Sequence, residues 1–86
     1  MATILRTDGN HEYYVVPDNG ESTYHLAQLQ SVVNGFIELI YLLNNQIMVV
    51  NEEGSIHRLP VNRAASKIAS QMIVGNVILI KGDEIE

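Results

Sequence analysis

The densest hydrophobic patterning lies between Leu26 and Leu43, in LAQLQSVVNGFIELIYLL. Leu26, Leu29, Val32 and Val33 recur at the spacing of one helical face, while Gln28, Gln30 and Ser31 fall largely off that stripe. The pattern predicts a helix over about residues 23–34, capped by Thr23 or Ser22, with Glu21 near its positive end. Asn34-Gly35 stops it, with Gly35 expected as the left-handed residue that closes the last turn. The period then changes from helical to alternating. Phe36, Glu38, Ile40 and Leu42 share one face of a strand, and Ile37, Leu39, Tyr41 and Leu43 share the other. Two apolar faces predict a central strand, covered by helices on one side and by other chain or a second subunit on the other.

Flanking segments alternate strands with turns. Thr3–Leu5 predicts a short strand, Asp8-Gly9-Asn10 a turn, and His11–Val16 the second arm of a hairpin over about 2–16. After the polar step Asn44-Asn45-Gln46, a strand returns at Ile47–Val50. Asn51-Glu52-Glu53-Gly54 turns the chain again, and Ser55–Leu59 is expected as the last strand of a meander over about 36–59. Pro60 ends it. Asn62 caps a second helix over about 62–70, with Ala64, Ala65, Ile68 and Ala69 on its buried stripe. Gly75-Asn76 precedes a final strand at about 77–81. The order β-β-α-β-β-β-α-β predicts an α+β fold, a mainly antiparallel sheet with two helices packed on one face.

Composition narrows the functional classes. A chain of 86 residues with 47% hydrophobic content is expected to form a single domain around one core. A core this small gains from association, so a homo-oligomer is expected. The absence of cysteine excludes disulfides, thiolate metal sites and cysteine nucleophiles. No apolar leader is visible in MATILRTDG, which with the lack of cysteine suggests a cytoplasmic location. The run Phe36–Leu43 is far short of the roughly 20 residues that span a bilayer, so no membrane partner is expected. A net charge of −5 argues against nucleic acid as a partner. The closing Asp83-Glu84-Ile85-Glu86 reads as a solvated acidic end.

Candidate chemistry is sparse. Glu38 is the lone charge on an apolar strand: a ligand-binding carboxylate, or a group paired with an arginine or backbone N–H. His57, Arg58, Asn62, Arg63 and Lys67 form the second constellation, at the start of the second helix. Arg63 and Lys67 are four apart on one helical face, and free N–H groups beside arginine suit an anion. The alternative is that these side chains are solvated, with Arg58 paired to Glu52 or Glu53. Tyr13 and Tyr14 are adjacent, so one of them, with Tyr14 the candidate, faces outward to stack on a base or a partner, the alternative being that it packs under the first helix. His11, His25 and His57 lack metal-ligand spacing, and no serine sits in a nucleophile elbow. No cofactor, no metal and no enzymatic activity are expected.

Leu29, Gln30, Val33, Gly35, Ile37 and Glu38, then Asn51, Glu52 and Gly54, then Leu59, Pro60, Asn62 and Ala65, and finally Gly75, stand in the order LQxxVxGxIE … NExG … LPxN. Over residues 26–80 this resembles a small uncharacterised family of phages, plasmids and low-GC Gram-positive bacteria. The resemblance implies a phage or mobile-element setting, and so the host cytoplasm, without implying a mechanism. Two expectations follow. One is an oligomeric, non-enzymatic sponge that sequesters a phosphate-bearing nucleotide signal of host antiviral defence, by analogy with small phage proteins of that kind. The other is a protein–protein inhibitor or adaptor that presents a sheet edge or an apolar patch to a host protein.

Overall fold

In a computed structural model that describes residues 1–85, the chain runs β1 (Ala2–Leu5), β2 (Glu12–Val15), α1 (Leu26–Val33), β3 (Ile37–Tyr41), β4 (Gln46–Asn51), α2 (Arg63–Ala69) and β5 (Val77–Lys81). A 3-10 turn follows at Gly82–Glu84. The strands form one five-stranded sheet in the order β2-β1-β5-β4-β3, antiparallel at every junction. The α+β class and the antiparallel sheet are those the sequence predicts.

Alternation along the inner strands β4 and β5 decides where the helices go. Ile47 and Val49 of β4 and Ile78 and Ile80 of β5 join a buried cluster with Leu29 and Val33 of α1. Met48 and Val50 of β4 and Val77 of β5 join a second cluster with Ala65 of α2 and Ile73. The helices therefore lie on opposite faces of the sheet, not on the one face expected. Since successive residues of a strand point to opposite faces, strands apolar on both faces need cover on both. Leu29 and Val33 are fully buried, each worth roughly 1.5–3 kcal/mol.

Three further expectations are corrected. Ser55–Leu59 is not a strand: the chain winds through turns from 52 to 58, closed by His57 N–H to Glu53 C=O at 3.0 Å and Leu59 N–H to Gly54 C=O at 3.1 Å. With no neighbouring strand to pair with, so short an alternation closes local bonds instead, and Ile56 is left exposed. Helix α1 starts at Leu26 rather than near Thr23, because Tyr24 is held extended. Its N–H donates to Glu84 C=O, it bridges Ile85 in parallel, and its buried hydroxyl donates to Val15 C=O. His25 occupies the N-cap without a side-chain cap bond. At the other end the left-handed residue is Asn34, at φ 63°, and not Gly35. Gly35 has a different reason to be glycine: a Cβ there would stand 2.7 Å from Asn51 Nδ2.

Two asparagines tie the layers together. Asn51 donates from Nδ2 to Val33 C=O at 3.0 Å and accepts Glu53 N–H at 2.8 Å, which anchors the end of α1 to β4. Asn62 is completely buried. Its amide donates to Leu5 C=O and Gly75 C=O, each at 2.9 Å, and its oxygen accepts Ala65 N–H at 3.1 Å as the cap of α2. Asn44 and Asn45, both at positive φ, make the two-residue β3–β4 turn. Glu84 is no merely solvated acid. It accepts the Met1 ammonium at 2.6 Å and Lys81 N–H at 2.7 Å. Burial works to raise its carboxyl, but those two donors outweigh it and hold it below the ordinary value of 4.5. Glu86, the rest of the expected acidic end, lies outside the described residues.

Asn62→Asp sets a carboxylate against two carbonyls in a dry site and is expected to destabilise by about 3 kcal/mol or more, read from urea unfolding. Glu84 stabilises the fold above its ordinary titration range, and that stability is lost as pH falls through its lowered value. Glu84→Gln should therefore cost on the order of 1 kcal/mol at pH 7 and nothing at acid pH, where both chains are neutral there, in unfolding measured across pH.

Candidate functional site

The expected basic constellation loses one member to the fold. Asn62 is withdrawn from it, because its amide hydrogens and oxygen are committed inside the fold and no ligand can reach it. Arg58, Arg63 and Lys67 are exposed and their side chains make no hydrogen bond or ion pair among the described residues, so the expected alternative of Arg58 paired to Glu52 or Glu53 is not found either. Arg58 ends the turn segment at φ 54°, and Arg63 and Lys67 lie on α2. Every Asp, Glu, Lys or Arg from 7 to 57 is acidic and every one from Arg58 to Lys81 is basic, so α2 lies within a basic stretch of an acidic chain.

His57 is exposed in the turn segment, 3.8 Å from Glu53 Oε1. With Gln30, Gly35, Phe36, Asn51 and Glu53 it lines a cavity of about 370 Å³. Glu38 lines a different one, also about 370 Å³, between β3 and the chain that leaves α2, beside Val50, Ser55 and Met72. The two groups share no cavity, so an acid–base pair of Glu38 and His57 is not assembled. No group of three or more His, Cys, Asp or Glu able to hold a metal occurs among the described residues.

What the sheet does expose is two very different edges. On β2, register slips between the pairs Ala2↔Val15 and Ile4↔Glu12. The extra residue puts Tyr14 at φ 61° and leaves both tyrosines outside, Tyr14 at 77% exposure. A bulge, four residues of length and Pro17 close behind make this edge a poor template for another strand. On β3 nothing of the kind is present. Its register with β4 is unbroken from Ile37↔Asn51 to Tyr41↔Ile47. It holds no proline, glycine or lysine.

Backbone parity fixes which groups point outward. Glu52 N–H donates to Phe36 C=O and Leu42 N–H to Gln46 C=O, so the even-numbered residues bond to β4. The N–H and C=O groups of Ile37, Leu39 and Tyr41 therefore face away from the sheet, and none of them bonds elsewhere among the described residues. Around them stand exposed Phe36 at 66%, Tyr41 at 74% and Leu43 at 85%. The central strand expected at Phe36–Leu43 is thus an edge strand. Apolar residues on both faces report that both faces are covered, and say nothing about whether both edges are paired. A signal was present: the strands buried on both faces, Ile47–Val50 and Val77–Ile80, are uninterrupted apolar runs, whereas Phe36–Leu43 carries Glu38 and Tyr41.

Fold and site together define a small α+β domain with a helix on each face of an antiparallel sheet and one unprotected edge. Among known families the chain belongs to DUF3846, a domain of unknown function, matched over residues 2–86. The match extends to the N-terminal hairpin, beyond the stretch that carries the sequence resemblance. No curated protein and no solved structure matches the chain. No described helix is long and apolar enough to cross a membrane.

Tyr14 in the left-handed region costs backbone energy that burial does not return, because its ring is exposed. Tyr14→Gly is expected to raise the unfolding free energy by about 0.5 kcal/mol, measured by urea denaturation. A loss of stability would mean that the ring packs usefully on the fold.

Proposed function

We propose that this domain is a non-enzymatic interaction module that accepts an extended segment of another polypeptide along the outer edge of β3. The observation that carries the reading is the row of outward N–H and C=O groups of Ile37, Leu39 and Tyr41, on a regular strand flanked by exposed apolar side chains. Strand addition uses these features directly: main-chain bonds supply affinity, and alternate side chains supply specificity. An inhibitor or adaptor of this kind suits the phage or mobile-element setting and the host cytoplasm that the sequence resemblance implies. Sequestration of a nucleotide signal rests on Arg58, Arg63 and Lys67, which keep their charges unpaired but have lost Asn62 as a companion.

Tyr41→Pro removes one outward N–H and an exposed ring while leaving the bonds of β3 to β4 in place. Peptides selected from a displayed library against the wild-type domain should be extended, apolar and free of proline. They should bind Tyr41→Pro at least tenfold more weakly and bind Arg63→Glu/Lys67→Glu unchanged, with circular dichroism confirming that both variants fold. Binding indifferent to Tyr41→Pro overturns the proposal. Binding lost in Arg63→Glu/Lys67→Glu and competed by inorganic phosphate favours the anion reading instead.

A further inference from the structure

We infer that the strand received by β3 is β3 of a second copy of this chain, paired antiparallel about Leu39. This rests on the strand-addition reading and names its partner. Two antiparallel edges in one sheet are related by a two-fold axis perpendicular to the sheet, which keeps each face on its own side. Residues opposite one another share a face, so the axis passes through a residue and not between two. Three positions on β3 then compete. An axis at Glu38 sets Glu38 against Glu38 of the second copy, and like charges directly opposite are repulsive. An axis at Ile40 pairs Ile37 with Leu43, beyond the end of the strand.

An axis at Leu39 places Leu39 opposite Leu39 and Ile37 opposite Tyr41. These are the residues whose N–H and C=O groups point outward, so every free backbone group of the edge is paired. Glu38 then faces Ile40 and avoids its own copy. The same register gives the exposed Tyr41 ring a place to go. Ile37 lines an apolar cavity of about 300 Å³ with Tyr24, Leu26, Leu29 and Ile85, on the α1 face. Tyr41 lies on that face too, so Tyr41 of the second copy, set opposite Ile37, stands at its mouth, and the two-fold repeats the contact at the other end. β2 offers no such match, since its bulge breaks the register that a second copy would follow.

The chain has no cysteine, so any introduced thiol can form a disulfide only with another molecule. Proteins carrying Glu38→Cys and Ile40→Cys are mixed under a mild oxidant. The Leu39 register predicts the mixed disulfide dimer in several-fold excess over either homodimer, because residues 38 and 40 of the two copies are direct neighbours at the close Cα spacing of a non-bonded pair. Equal or greater yields of the homodimers overturn the register. Sedimentation velocity of the unmodified chain, which has no altered core residue, decides the pairing itself. A dimer that dissociates in Tyr41→Pro supports it, and a monomer at several hundred micromolar, or a dimer indifferent to Tyr41→Pro, overturns it. A monomeric wild type that still binds selected peptides through Tyr41 refutes self-pairing and leaves strand addition standing. Loss of both refutes both.

Discussion

Two short helices must cover two faces of a five-stranded sheet, and most of the structure follows from that shortage. With strands about 4.8 Å apart, the sheet is roughly 19 Å across between its outer strands. One helix is about 10 Å wide, and the eight residues of α1 and seven of α2 run about 12 and 10 Å. Neither can shield a whole face. The cover goes to the middle: α1 packs over β4 and β5, and these two strands are buried on both faces. The edges receive what remains, which is why Tyr13 and Tyr14 stand outside on β2 and Phe36, Tyr41 and Leu43 around β3.

Polar side chains and irregular segments supply the cohesion that longer helices would otherwise provide. Tyr24 fills the α1 face as a single large residue and draws the Gly82–Ile85 end of the chain against it. On the α2 face, Asn62 joins β1, α2 and the turn at Gly75 through one amide, and Ser66 exchanges hydrogen bonds with Ile73. None of these buried polar atoms is left without a partner among the described residues. Such a network is worth most when complete, since a desolvated amide with a missing partner costs more than the bond it replaces.

The asymmetry of the two edges turns this architecture toward function. One edge is kinked by a bulge and held by the Arg6–Glu12 ion pair at 2.9 Å. The other is regular in register and carries one charge, Glu38, among exposed apolar side chains, an edge that invites pairing. One open edge and one blunted edge support the proposed strand addition at β3. The segregation of charge adds direction, because positive groups gather on the α2 face of an otherwise acidic chain.

The hydrophobic periods along the chain determined the elements themselves: the hairpin at the start, the amphipathic helix at Leu26–Val33, the Asn62-capped helix and the last strand, since each follows from local alternation and capping. Asn62 as a cap was legible for the same reason. Its burial was not, because the carbonyls that claim its amide belong to Leu5 and Gly75, remote in the chain. The placement of the helices on opposite faces was decided by which strands became central, and strand order depends on pairing between distant segments. Gly35 shows the division most simply. Its glycine is explained not by the helix it follows but by Asn51 arriving from another strand. Phe36–Leu43 carries the same lesson for function: its apolar faces were written in the sequence, but only the tertiary structure, by seating β5 in the middle, left its outer edge bare.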